Sequence, residues 1–277
     1  MTVECVYNLD FKQYRANKDA VSISELNQFA KLPALYEYNV LRGGSAKRFT
    51  SKALEEGKTF HTCILEPKVW KLFERRPDSI DMRTKAGLAY KEQMARDAEM
   101  GIEHIEPDLY DRCMAARSEL LTHPEVEKLY GGMVAESSYF TTHKPTGLKL
   151  KARLDAIHEA SSTIIDLKTT KDAMAFEKSV FEYKYYRQAA FYIAMMEKMT
   201  GRKWTYQWWA IETQAPFVHA VYEPDALSLE IARFEIEDLL HKFKKCRETG
   251  VYPGLSHEIK KLSLPNWYLQ KPTVKGE

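Results

Sequence analysis

Apolar residues recur at three- and four-residue intervals through the first half of the chain and alternate with polar ones through much of the second. The first pattern predicts a helix over 24–38, broken near Pro33, and another that begins after Ser51, its N-cap, and stops before Pro67. Two more are predicted over 85–100 and 108–122, with Thr84 capping the former and Gly101 ending it. The second pattern predicts strands over 133–140, 148–157 and 163–168, whose short links carry Gly147 or Ser161-Ser162 and so favour antiparallel hairpins. One long helix is expected over 173–199, then strands over 204–213 and 217–222, then a closing helix over 225–248 after Pro224. This order predicts a mixed α/β (α+β) fold, a central mixed sheet flanked by helices with a helical N-terminal region. No repeat or linker divides it, so a single domain is expected.

Two aspartates interrupt the apolar strand runs in "LKLKARLDAIHEASSTIIDLKTT". Side chains alternate across a strand, so Asp166 and Lys168 share one face while Ile165 and Leu167 take the other. On the preceding strand Lys151, Arg153 and Asp155 share a face opposite Leu150, Ala152 and Leu154. A hairpin would set Asp155 beside Asp166. Adjacent carboxylates repel unless a cation lies between them. A hard divalent ion fits, and Mg2+ is commonly held by one or two carboxylates, waters and substrate phosphate. Such a site favours phosphodiester hydrolysis, with Lys168 positioning water or offsetting charge at the phosphate. The competing reading is an ion pair between strands. Acid-x-Lys spacing is common here (Asp10/Lys12 and Glu56/Lys58 share it), and only its β context sets 166–168 apart.

Other residues extend this constellation. Gly57 and His61 stand four apart, on one face of a predicted helix, where His61 is a candidate ligand or a histidine satisfied by a neighbour. Glu136 is a third carboxylate in a predicted strand. Gln188 and Tyr192, also four apart, face either the site and its DNA or simply the sheet.

Charge narrows the picture little. The net charge is +2 with a pI near 8.2, so a DNA partner needs a local patch. Arg42, Lys47, Arg48 and Lys52 form one candidate, and Lys242, Lys244, Lys245 and Arg247 another; a solvated face is the alternative for each. Four scattered cysteines, without a C-x-x-C pair, read as reduced buried thiols. No apolar run reaches the roughly 20 residues that span a bilayer, so no membrane partner is expected. The stretch MTVECVYNLDFKQYR has no signal-peptide pattern, which points to the cytoplasm. "GKT" at 57–59 lacks the first glycine of a phosphate loop, and neither a G-x-S-x-G elbow nor an H-E-x-x-H helix is present.

The ordered set G-x-x-x-H (57–61), Glu136, Asp155, D-x-K (166–168) and Q-x-x-x-Y (188–192) resembles the PD-(D/E)XK nucleases of the RecB-like group. "TSKALEEGKTFHTCILEP", "DMRTKAG", "GLKLKARLDA", "IIDLKTTKDA", "YRQAAFY" and "YPGLSHEIKKLSLPNW" resemble, in order, the nuclease domain of RecE-type exodeoxyribonuclease VIII, often phage- or prophage-encoded. The resemblance implies a restriction-endonuclease-like core over 131–250. A segment 1–21 and a mainly helical part 22–130 would precede it, and a tail 251–277 would follow. It implies that His61, Asp155, Asp166 and the Leu167 carbonyl hold Mg2+, with Mn2+ able to substitute. Lys168 would be catalytic with Asp155 and Asp166, and Glu136, Gln188 and Tyr192 would act beside them. Arg42, Lys47, Arg48, Lys52 and Arg153 are the expected DNA contacts. The implied activity is 5′→3′ degradation of linear duplex DNA, leaving 3′ single-stranded tails for a RecT-like annealing protein. The implied assembly is a homo-oligomeric ring, trimer or tetramer. The proline that names the fold is replaced by Leu154. An endonuclease acting on duplex or branched DNA, and a non-catalytic DNA-end adaptor, are the rival expectations.

Overall fold

The computed structural model describes residues 4–6 (backbone only), 9–44, 52–256 and 258–265. In chain order these form β1 (Glu4–Val6), α1 (Phe11–Ala16), β2 (Ala20–Val21), α2 (Ile23–Lys31) and α3 (Pro33–Tyr36), the last continuing into a π-helical turn, Glu37–Leu41. Next come α4 (Lys52–Leu65), α5 (Pro67–Trp70), β3 (Phe73–Arg75), α6 (Lys85–Glu99), β4 (Glu103–Ile105), α7 (Pro107–Leu120) and α8 (Pro124–Tyr130). The remainder is β5 (Met133–Thr142), β6 (Lys149–His158), β7 (Thr163–Thr170), α9 (Phe176–Glu182), α10 (Tyr185–Thr200), β8 (Thr205–Glu212), β9 (His219–Tyr222) and α11 (Ala226–Thr249).

The main sheet runs β1-β5-β6-β7-β8-β9, with β2 also paired to β6. β7–β8 and β2–β6 are parallel and the other pairs antiparallel, so the sheet is mixed, as the element order predicted. Both faces are apolar and both are covered. On one, Leu150, Ala152, Leu154, Ile164 and Trp208 pack against α2, α10 and α11. On the other, Ile165, Leu167 and Trp209 pack against α4, α7 and α8. Burial on both faces explains why β7 and β8 read as near-continuous apolar runs.

Capping fixes several helix starts. Ser22 and Glu25 form a reciprocal capping box on α2, the Thr84 hydroxyl accepts from Gly87 N–H, and Asp225 accepts from Ser228 N–H at the start of α11. Ser51 lies outside the described residues. The long helix expected over 173–199 is two helices, parted at Lys184, whose φ is +61°. Nothing in "FEYKYYRQ" breaks a helical pattern. Packing does: α9 buries Phe176 against Trp208 and Tyr222, and α10 runs on across the sheet.

In the N-terminal segment, β1 pairs with β5 and β2 with β6. The ammonium of Lys151, almost fully buried, donates to the Asn17 carbonyl at 2.5 Å and pairs with Glu25 at 3.5 Å. Cys63, Cys113 and Cys246 are free and buried, and burial pushes the Cys63 thiol up to about 12. The Cys5 side chain lies outside the described residues. No described helix is long and apolar enough to cross a membrane.

Trp209→Ala empties a fully buried site and should cost about 3–5 kcal/mol in urea unfolding. Ile259→Ala, at a wholly exposed position, should stay within about 0.5 kcal/mol.

Candidate active site

The antiparallel ladder of β6 and β7 runs His158↔Thr163, Ile157↔Ile164, Ala156↔Ile165, and then stops. The next rung would join Asp155 to Asp166. The sequence led to the expectation of strands paired through the acids; the strands instead part there. Beyond the fork β7 stays with β8 through Thr170, while Lys149 and Leu150 of β6 take β2 as a neighbour. Face alternation also changes at this rung, since Leu154 packs in one core cluster and Ala156 in the other. Across on β5, Glu136 adopts φ +55°, a left-handed backbone costing of order 1–3 kcal/mol for a non-glycine residue.

Separated strands leave backbone groups to satisfy. Asp155 Oδ2 accepts from Leu167 N–H at 3.1 Å, and the Leu167 carbonyl accepts from the His61 ring. His61 Nδ1 lies 3.6 Å from Asp155 Oδ2. Gly57 lets α4 come this close, since a Cβ there would stand 3.3 Å from Thr169 Oγ1 on β7. "GKT" is thus interior to a helix and no phosphate loop.

Asp166 is 1% exposed and lies beneath the cleft floor. Its Oδ1 accepts from Gln188 Nε2 at 3.0 Å, and Gln188 also hydrogen-bonds Tyr192. Its Oδ2 is buried without a well-aligned hydrogen bond, the Lys168 ammonium being its ionic neighbour. Lys168 in turn lies over the Tyr185 ring, 4.6 Å from the centroid. Burial pushes both Asp155 and Asp166 up to about 6, against the pull of Lys168. Burial and Lys168 push His61 down to about 4, leaving a neutral imidazole. Burial works to lower Lys168, but Asp166 and Asp155 outweigh it and hold the ammonium charged. His61, Asp155 and Lys168 open on a cleft of about 630 Å3, lined also by Lys58, Glu66, Glu136, Arg153 and Tyr192.

The donor set suits a divalent cation: a neutral imidazole, two carboxylates whose ionisation burial disfavours, and a backbone carbonyl. Among the described residues, the trio of acid and histidine ligand atoms all within 4.8 Å of one another lies elsewhere, at Glu74, Asp97 and His104. His61, Asp155 and Asp166 would therefore draw together around an ion.

The expected DNA contacts fare differently. Arg42 pairs with Glu37 at 2.6 Å, and Lys52, 90% exposed, pairs with Glu56 at 3.7 Å. Lys47 and Arg48 lie outside the described residues. Arg153 reaches the cleft but is held by Glu136 at 2.5 Å and by the Leu9 carbonyl. In the second patch Lys242 pairs with Asp238 and Lys244 with Glu248, while Arg247 donates to backbone carbonyls. Three cleft residues were missed. Lys58 is exposed and has no ion pair with a described residue. Burial, with Glu136 next, pushes Glu66 up to about 7. Tyr185 supports Lys168. Of these, Lys58 and Glu66 flank His61 in "GKTFHTCILEP", which was the available signal.

A mixed sheet forked at two acids, with a lysine two residues past the second, is the core of the PD-(D/E)XK nuclease fold. The chain belongs to the family described as "PDDEXK-like domain of unknown function (DUF3799)", which matches residues 22–264. The structure is similar to that of a "Putative exonuclease" from Eubacterium rectale, with a TM-score of 0.64 at 15% identity, covering 97% of this chain and 100% of that one. An alkaline exonuclease from Laribacter hongkongensis matches at a TM-score of 0.25 and 12% identity over 70% of this chain and 97% of that one, too weakly to carry an argument. No curated protein matches the sequence significantly.

An acid raised to about 6 keeps its proton after the unfolded chain has lost it, so ionised Asp155 costs stability above pH 6 and nothing below about 4. Asp155→Asn should therefore stabilise metal-free protein by about 1–3 kcal/mol at pH 7.5 and not at pH 4, measured by urea unfolding.

Proposed function

We propose that this protein is a Mg2+-dependent exonuclease that degrades linear duplex DNA 5′→3′ and leaves 3′ single-stranded tails. The observation that carries this reading is the fork itself, where Asp155, Lys168 and His61 line an open cleft and Asp166 lies buried beneath it, paired with Lys168. The near full-length likeness to a protein described as an exonuclease, and the RecE-like motif order, support the choice of DNA ends as substrate. Asp155, Asp166, His61 and the Leu167 carbonyl would hold the ion. When bound, Mg2+ (or Mn2+) supplies Lewis-acid activation of the phosphate and of water. Lys168 sets an ammonium beside the reacting phosphate, offsetting charge that grows in the transition state. Gln188 and Tyr192 fix Asp166, and the Tyr185 ring fixes Lys168. Glu136 restrains Arg153 at the cleft wall. Lys58, which has no ion pair with a described residue, would meet the DNA backbone.

The tails would serve a RecT-like annealing protein, with the nuclease acting from the cytoplasm as a homo-oligomeric ring. Leu227, Ile231 and Phe234, exposed at 65%, 48% and 79% along one side of α11, offer apolar surface of the kind subunits bury.

Purified protein with Mg2+ should release nucleotides from linear plasmid and leave covalently closed plasmid intact. Loss of the closed circle would instead mean endonuclease activity. Asp166→Ala should abolish release while filter binding of DNA persists; a fully active variant would move the site elsewhere. Tyr185→Ala should lower kcat about tenfold and Tyr185→Phe far less, because the ring face holds Lys168 and the hydroxyl does not.

A further inference from the structure

Away from the cleft, α6 packs on the two-stranded parallel sheet β3–β4. It is fifteen residues long, yet Gly87 and Asp97 are its buried residues. Gly87, Tyr90, Met94 and Asp97 follow helical spacing and form its inward stripe. The stripe ends in a carboxylate, where a docking helix ordinarily presents an apolar side chain. Burying a carboxylate costs several kcal/mol unless it is paired.

His104 of β4 meets it, with Nε2 2.7 Å from Asp97 Oδ2 and Nδ1 2.8 Å from the Tyr90 hydroxyl. The His104 side chain is 2% exposed and that of Asp97 12%. Glu74 stands beside His104 in the β3–β4 register, and its carboxylate has no hydrogen bond or ion pair with a described residue. One ligand atom from each of Glu74, Asp97 and His104 lies within 4.8 Å of the other two.

We propose that Glu74, Asp97 and His104 bind a divalent transition-metal ion of the zinc class, which locks α6 onto β3–β4. The cleft would offer Mg2+ a backbone carbonyl and a substrate phosphate to complete an oxygen shell, whereas an imidazole with two carboxylates here suits Zn2+. The Tyr90 hydroxyl on Nδ1 fixes the ring and leaves Nε2 for the ion, the usual arrangement of a ligating histidine and its outer partner. Three protein ligands leave a fourth position for water. Asp97 then gains a metal cation in place of its imidazole partner, and Glu74 gains the partner it lacks. The ion's role is structural, and it stands apart from the nuclease reading.

The test removes the cleft acids first. Zn2+ is titrated, against a chromogenic chelator, into chelator-stripped full-length protein carrying Asp155→Asn and Asp166→Asn, with thermal unfolding alongside. Zn2+ should bind with one-to-one stoichiometry and raise Tm by a few degrees. Adding Glu74→Gln should weaken binding at least about tenfold and leave the zinc-free Tm unchanged, because Glu74 is exposed. Zn2+ affinity unaltered by Glu74→Gln, or an unmoved Tm with no bound Zn2+, overturns the proposal and leaves Tyr90–His104–Asp97 a hydrogen-bond chain alone.

Discussion

Backbone hydrogen bonding, more than any one side chain, shapes this molecule. While β6 and β7 run together, each satisfies the other's peptide groups. Where they part, between Ala156–Ile165 and the two aspartates, those groups need other partners or the fork costs several kcal/mol. Asp155 supplies one by accepting from Leu167 N–H, His61 meets the Leu167 carbonyl, and β2 takes the freed edge of β6 at Lys149 and Leu150. The residues that mend the split sheet are therefore the residues that could hold an ion. Structure and candidate chemistry share one cause.

That arrangement is electrostatically expensive, and the fold is built to tolerate it. A buried Asp166 and a half-buried Asp155, each pushed up to about 6 by burial, share the half-buried ammonium of Lys168. A left-handed Glu136 adds backbone strain on the same rung. Against this stand apolar layers on both faces of the sheet, with Trp209, Tyr206, Phe60 and Phe243 fully buried. Most of the stabilising area lies on either side of the fork and little lies in it. Functional sites commonly concentrate strain in this way, and the surrounding core holds it.

What could be read from the sequence, and what could not, follows from the same physics. Period-two patterning located β5, β6 and β7 within a residue or two, because burial on a sheet face writes itself into alternation. It also placed Asp166 with Lys168, since both lie on one strand. It misplaced the pairing of Asp155 with Asp166, because strand separation depends on a tertiary partner, β2, that is two residues long and has no pattern of its own. The break at Lys184 was invisible for a similar reason: only the packing of Phe176 demands it. Basic clusters on the page were poor guides to free cations. Arg42 and Lys52 carry their counter-ions on the same helical turn or the next, and sequence proximity to Glu37 and Glu56 was the sign that they would.

Charge in the cleft has a consequence for how DNA and metal would act together. Arg153 is neutralised by Glu136 and Lys168 by Asp166, while Asp155 and Glu66 face the same space. Lys58 is the lining cation without an ion pair to a described residue. A phosphate backbone approaching these side chains alone meets a cleft with almost no net attraction, and at short range the carboxylates repel it. With a divalent ion held there, the acids would be neutralised and the Lys168 ammonium would no longer be matched by Asp166 alone. On the nuclease reading, the ion would thus serve substrate recognition as well as chemistry: the acids that would hold it are the same groups that repel a polyanion without it.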